Sequence, residues 1–170
     1  HINVALDAIQ SVKMDVLVIE KPLCPSDMGG VLELCDLINR EEVTALIGYN
    51  HNLCKNTRYA ENLIDDGLIG EPLSMHVRWL EYWGGIFKAH PWLDGPHDSY
   101  LGYIERGGGA CHEHSHAISI WAHFSRYLGQ GKIHEVNATM RYYRDGKVGY
   151  DQSSLLNVKS ENGLIGSIIL

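Results

Sequence analysis

The sequence predicts an α/β segment followed by an α+β segment whose sheet is open and mainly antiparallel. Three observations carry this. Residues 1–50 alternate between helical periodicity and short continuous apolar runs, the pattern of a parallel sheet with helical crossovers. Residues 72–83 and 134–143 alternate apolar with polar side chains, as half-buried strands do. Glu161-Asn162-Gly163 lies between two strand-like runs, and Asn-Gly in that setting is a strong hairpin signal.

In order along the chain, Ile2, Ala5, Ile9 and Val12 stand at helical spacing. VLVIE (16–20) is β-branched at Val16, Val18 and Ile19 and reads as a strand buried on both faces. Ser26 is placed to cap a helix whose apolar stripe is Val31, Leu34, Cys35 and Ile38. TALIGYN (44–50) is a second buried strand, and a domain boundary is expected near residue 50. From 51 onward the pattern is α+β. Residues 56–66 are helical and stop at Asp65-Asp66-Gly67, with Gly67 as the C′ residue. Within 72–83, Leu73, Met75, Val77 and Trp79 share one strand face, and Ser74, His76 and Arg78 share the other. Residues 84–106 read as a loop. A helix over 112–128 packs through Ala117, Ile120, Trp121, Phe124 and Leu128. Val136, Ala138, Met140 and Tyr142 line one side of the next strand, and SSLLNVKS and LIGSIIL flank the Asn-Gly turn.

Composition narrows the function. The 170 residues are 45% hydrophobic and 21% charged, as in ordinary globular proteins. A net charge of −7 gives no electrostatic reason to expect nucleic acid. No apolar run reaches the roughly 18 residues of a membrane span. The first residues lack a basic and then apolar leader pattern. Cys24, Cys35, Cys54 and Cys111 have neither metal nor disulfide-framework spacing. A cytoplasmic location with the cysteines as small buried apolar groups is therefore expected. The chain opens in mid-helix without Met and stops on a strand-like run, so a piece of a longer protein is expected.

Ligands of parallel sheets sit beyond the carboxyl ends of the strands. Glu20-Lys21-Pro22 and Tyr49-Asn50-His51 both occupy such ends, which places two polar clusters on one rim. A third cluster is GGGACHEHSH, residues 107–116. Its His112-Glu113-x-x-His116 matches the two ligands and general base of zinc peptidases. The context argues against that chemistry. The motif follows three glycines directly, and Ser119 and Ala122 stand where the extended motif needs Gly and His. A polar helix stripe of His112, His116, Ser119 and His123 is the other reading, with His114 and His123 taken singly as surface groups.

Three segments together resemble the Gfo/Idh/MocA family of NAD(P)-dependent sugar and polyol dehydrogenases: DVLVIEKPLCPS (15–26), ENLIDDGLIGEPLSMHVRW (61–79) and GGGACHEHSH. The resemblance implies that residues 1–50 are the C-terminal portion of a Rossmann-type domain. It likewise implies that 51–170 form a substrate-binding and oligomerisation domain. It implies NAD or NADP as cofactor, Lys21 and His116 at the catalytic positions, and Glu20, Lys21 and Pro22 beside the cofactor. The family's Asp-x-Gly-x-His is altered here. Keeping its four-residue spacing puts His112 at the Asp; keeping the distance from the glycines puts Glu113 there and Ala117 at the His. The first alignment retains a reactive histidine and is preferred. No G-x-G-x-x-G occurs, so the pyrophosphate grip is expected before residue 1.

Hydride transfer to or from a sugar carbon requires a proton acceptor or donor at the attached oxygen, which Lys21 and His116 supply in this scheme. Asn50 and His51 on the rim, with Trp83, Trp92 and Tyr100 in or near the long loop, are the expected contacts of a sugar, nucleotide-sugar or cyclitol substrate. The alternative from another class is a non-catalytic binding module. In either case the open sheet face is expected to pair copies into a homodimer or homotetramer.

Overall fold

A computed structural model describes all of residues 1–170. The chain begins with α1 (Ile2–Ser11), β1 (Val16–Ile19), α2 (Val31–Arg40) and β2 (Thr44–Ile47). β1 and β2 are parallel, in register from Val16 opposite Thr44 to Ile19 opposite Ile47. α1 and α2 cover one face of this pair. Ile2, Ala5, Ile9, Ile19, Leu34, Leu37 and Val43 form its core.

Three sequence expectations are corrected here. Within residues 1–170 the strands are covered on one face: α1 and α2 lie there, and the alternate side chains, Val18 (66% exposed) and its partner Leu46 (52%), point to the other side. Ser26 does not cap α2. The chain turns through residues 25–30 and enters the helix after Gly30, whose φ of 76° is left-handed. Cys35 is exposed, since the buried stripe runs through Leu34 and Leu37, and the other three cysteines are only half-buried.

The remaining elements are α3 (Lys55–Asp65), β3 (Ser74–Arg78), α4 (Trp83–Ala89), α5 (Ala110–Glu113), α6 (His116–Tyr127), β4 (Ile133–Asp145), β5 (Val148–Ser160) and β6 (Ile165–Ile169). α3 ends as expected. Gly67 adopts φ 71°, its N–H bonds to the Ile64 carbonyl, and the Leu68 N–H bonds to the Leu63 carbonyl. Those two bonds close a Schellman motif and satisfy carbonyls that the helix leaves open.

Four strands form one sheet in the order β3-β6-β5-β4. β4–β5 and β5–β6 are antiparallel and β3–β6 is parallel, so the sheet is mainly antiparallel. The Asn162-Gly163 turn joins β5 to β6. α6 packs on one face, and Ala110, Ala117, Trp121, Leu156, Val158, Leu164, Ile168 and Leu170 form the second core. Trp121 is fully buried, and its indole N–H donates to the Met75 carbonyl at 3.0 Å, pinning α6 to β3. Burying a roughly 200 Å² indole stabilises this contact by about 5 kcal/mol before entropy is counted. The opposite face, with Ser74, His76, Asn157, Lys159 and Ser167, is open.

Two further expectations change. Residues 84–106 are not an unstructured loop: α4 and three 3-10 turns fold them tightly. The predicted helix over 112–128 is two helices, interrupted at His114-Ser115. No helix is long and apolar enough to cross a membrane.

Candidate active site

Three chain segments meet at the carboxyl ends of β1 and β2. They are Glu20-Lys21-Pro22 after β1, the 3-10 turn Asn50–Leu53 after β2, and the corner between α5 and α6. The half-buried Lys21 ammonium donates to the Glu113 carbonyl oxygen at 2.9 Å and lies 3.1 Å from Glu113 Oε1. The Tyr100 hydroxyl donates to Glu113 Oε2. Glu113 thus receives a cation on one carboxylate oxygen and a phenol on the other. Burial, with the bond to Glu113, pushes the Tyr100 phenol well above its ordinary pKa. The Lys21–Pro22 peptide is cis.

The glycine run fixes where this corner sits. Gly107 and Gly109 have φ of 82° and 93°, a region that side chains with a Cβ avoid. A Cβ on Gly108 would fall on the Tyr100 and Leu101 carbonyl oxygens, and one on Gly109 would fall on Asp151 Oδ1. Asp151 itself is fully buried. Its Oδ2 accepts from the Cys111 N–H and from Ser154 Oγ, each at 2.8 Å. Because Cys111 is in the first turn of α5, this carboxylate does from β5 what a capping side chain would do locally. Burial and the Asp151 charge push the Cys111 thiol up to about 11.

Beyond Glu113 the helix breaks, and the two histidines on either side of Ser115 have different surroundings. His114 is buried. Its Nε2 accepts the Trp83 indole N–H at 3.0 Å, so Nδ1 carries the ring proton, 3.3 Å from Glu81 Oε2. Burial lowers its pKa, against the opposing pull of Glu81. The His116 ring stacks on Trp79 at 5.5 Å and meets the edge of His51 at 4.6 Å and of Tyr49 at 5.8 Å. These rings join the rim of the first sheet to the second. Burial, then His51 and then Lys21, lower the His116 pKa, and its Nδ1 is buried without a partner. Near neutral pH both imidazoles are uncharged.

The GFO/IDH/MocA C-terminal domain family matches residues 57–170, two-thirds of the sequence. The chain belongs to the GFO/IDH/MocA family. Solved structures share its fold. A levoglucosan dehydrogenase in complex with NADH and levoglucosan is 22% identical with a TM-score of 0.75, over 99% of this chain and 44% of that one. An NAD binding oxidoreductase from Klebsiella pneumoniae is 22% identical with a TM-score of 0.74, over 99% and 44%. An inositol dehydrogenase homolog from Azotobacter vinelandii, complexed with NADH and myo-inositol, is 18% identical with a TM-score of 0.67, over 99% and 41%. The chain therefore spans less than half the length of these neighbours. No curated protein matches the sequence.

In this GFO/IDH/MocA chain, the expected site residues fall into two groups. Lys21, His116, His51 and Tyr100 are assembled around the α5–α6 corner, Tyr100 against Glu113 rather than exposed in a loop. Trp83 opens α4 and lines a 390 Å³ cleft on the far side of His114. Trp92, by contrast, is 73% exposed and meets only the His90 ring edge-on. Asn50 is exposed at the start of its 3-10 turn. The group against Lys21 is Glu113, not His112, whose buried Nδ1 has no partner. Distance from the glycine run was the signal for Glu113. The zinc-peptidase geometry is absent for a related reason: His112 lies on α5 and His116 on α6, so the two rings do not share one helix face. Asp151 and Glu81 carried no local signal, and Tyr49 was marked only by its place at the carboxyl end of β2.

Proposed function

We propose that the intact protein is an oxidoreductase that moves a hydride between a nicotinamide cofactor, NAD or NADP, and a carbon of a sugar, nucleotide sugar or cyclitol. The observation that carries this is the convergence of Lys21, Glu113 and His116 at the carboxyl ends of two parallel strands. Neighbours of the same fold solved with NADH and with levoglucosan or myo-inositol support it.

The residues present fit the nicotinamide end of such a cofactor. Glu20 is exposed at the end of β1, and the β2 backbone approaches it so closely that a Cβ on Gly48 would lie 3.1 Å from Glu20 Oε2. Lys21, Pro22, Tyr100 and Arg106 line a 350 Å³ cleft next to it. Glu20, Lys21 and Pro22 would hold that end. A glycine-rich pyrophosphate loop does not occur in residues 1–170. When bound, the nicotinamide takes up or gives the hydride.

The chain's own groups handle the proton and the oxygen. An ammonium has three N–H donors, and Glu113 takes two from Lys21 through its carbonyl and carboxylate. The third donates to the substrate oxygen and fixes the carbon beside it. Tyr100 on the second carboxylate oxygen keeps Glu113, and so Lys21, from swinging away. His116, uncharged because it is buried and faces other positive groups, accepts the hydroxyl proton on oxidation and returns it on reduction. The test is Lys21→Ala in the full-length protein. Turnover falls by roughly a hundredfold or more, while the cofactor Kd by calorimetry changes much less. Wild-type turnover would remove Lys21 from the chemistry.

A further inference from the structure

We infer that His51 is the way out for the proton that His116 takes from the substrate, so that the two imidazoles form a relay between the reacting oxygen and water. This rests on the oxidoreductase reading above and extends it by one step. On oxidation the substrate O–H bond breaks and an N–H bond forms on His116, while the hydride leaves the carbon for the nicotinamide and a carbonyl remains. One proton is then left on the protein at each turnover, and it must leave before the next.

His116 is poorly suited to keep it. Burial, the neighbouring His51 and the Lys21 ammonium disfavour its charged form, as His114 does to a smaller degree, against the pull of Glu113. An imidazole accepts a proton on one nitrogen and releases one from the other. The His116 Nδ1 is buried and has no hydrogen-bond partner, so one ring nitrogen is not committed to the fold. The groups around the ring leave one route. Trp79 stacks on it at 5.5 Å, and an indole N–H donates without accepting. Tyr49 meets it edge-on, with its hydroxyl turned to Ser115 Oγ at 3.5 Å. Lys21 and Glu113 are committed to each other, and His114 to Trp83 and Glu81. His51 remains. Its ring centre lies 4.6 Å from that of His116 at 74°, near enough for transfer directly or through one water, and the residue is half-buried where His114 is sealed.

The fold holds His51 in this place. The buried Thr57 donates its hydroxyl to the His51 carbonyl at 2.6 Å. The His51 ring also meets Trp79 edge-on at 4.6 Å, so one indole packs both members of the pair. Asn52, the next residue, donates from Nδ2 to Ser119 Oγ at 2.8 Å, which ties this turn to the helix that carries His116.

The test uses the full-length protein in dilute buffer, with NAD or NADP and with myo-inositol, levoglucosan and glucose as probes. His51→Gln and His51→Phe each lower kcat about tenfold or more, with KM and cofactor Kd little changed. Added imidazole restores both variants to within about threefold of the wild type and leaves the wild type unchanged. Histidine NMR without substrate reads the pair independently of turnover: in His51→Gln, His116 takes up its proton at higher pH than in the wild type. A His51→Phe enzyme as fast as wild type would reduce His51 to packing and overturn the inference. So would a loss of kcat that imidazole does not repair, or a His116 titration indifferent to His51. In each of those cases a working wild type leaves the oxidoreductase reading intact. A wild type that oxidises no probe counts against that reading itself, and the relay falls with it.

Discussion

Lys21 and Glu113, ninety-two positions apart, are joined twice: ammonium to carbonyl at 2.9 Å and ammonium to carboxylate at 3.1 Å. Both side chains are largely buried, so the carboxylate sets where the ammonium stands. Glu113→Gln keeps the carbonyl contact and removes the charge. In the full-length protein it lowers kcat by more than about tenfold, and Glu113→Ala lowers it further and costs about 1–3 kcal/mol of stability. Steady-state rates and urea unfolding measure the two effects. A Glu113→Gln enzyme as fast as wild type would mean that Lys21 is positioned by something else.

His114 and His116 predict how stability changes with pH. Both have lowered pKa values, with burial as the first cause, so the native state resists protonation at both. In the unfolded chain they titrate near about 6.5. Between that value and the lower native ones the unfolded state binds more protons, and stability falls as pH falls. Thermal midpoints should be flat from about pH 8 to 7 and drop from about 6.5 toward 5, where the carboxylates begin to contribute. His116→Asn should flatten part of that slope. A midpoint that rises on acidification over this interval would contradict the assignment.

The lattice of helices and strands was largely legible in the sequence, because amphipathic periodicity and turn chemistry are local. Gly67 and the Asn162-Gly163 turn behave as their types dictate. Long-range partners were not legible. Nothing near Asp151 announces that it caps a helix forty residues earlier in the chain, and nothing near Trp83 points to His114. Within residues 1–170 β1 is covered on one face, and its apolar run reports what a face can do, not how many layers cover it. Of the candidate site, the nearness of Lys21, His51 and His116 was legible because strand ends and a glycine run mark them in sequence. Glu113 was legible only through its distance from the glycine run, and Glu81 meets His114 through a tertiary contact that spacing does not encode.

The glycines before α5 supply a prediction with an internal control. Gly109 combines φ of 93° with a Cβ position already occupied by Asp151 Oδ1. Gly67 has φ of 71° and nothing within 4 Å of its Cβ position. Gly67→Ala therefore bears only the left-handed backbone strain, about 1 kcal/mol. Gly109→Ala adds a steric collision in a buried setting and should cost at least about 3 kcal/mol. Chemical denaturation of the two variants side by side measures the difference. Equal costs would show that the space at Asp151 yields freely.

Asp151 itself ties stability to the site. Its Oδ2 holds the Cys111 N–H and the Ser154 hydroxyl, and α5, only four residues long, cannot hold its own first turn. Asp151→Ala strands both donors in a buried environment, at about 1–3 kcal/mol each. Asp151→Asn retains an oxygen that can accept from Cys111 and should cost about 1 kcal/mol. Because α5 ends at Glu113, loosening its start shifts the partner of Lys21. At a temperature where all variants stay folded, Asp151→Ala in the full-length enzyme should lose about tenfold or more in kcat, and Asp151→Asn clearly less. If Asp151→Ala is destabilised yet turns over like wild type, β5 supports the fold without positioning the Lys21–Glu113 pair.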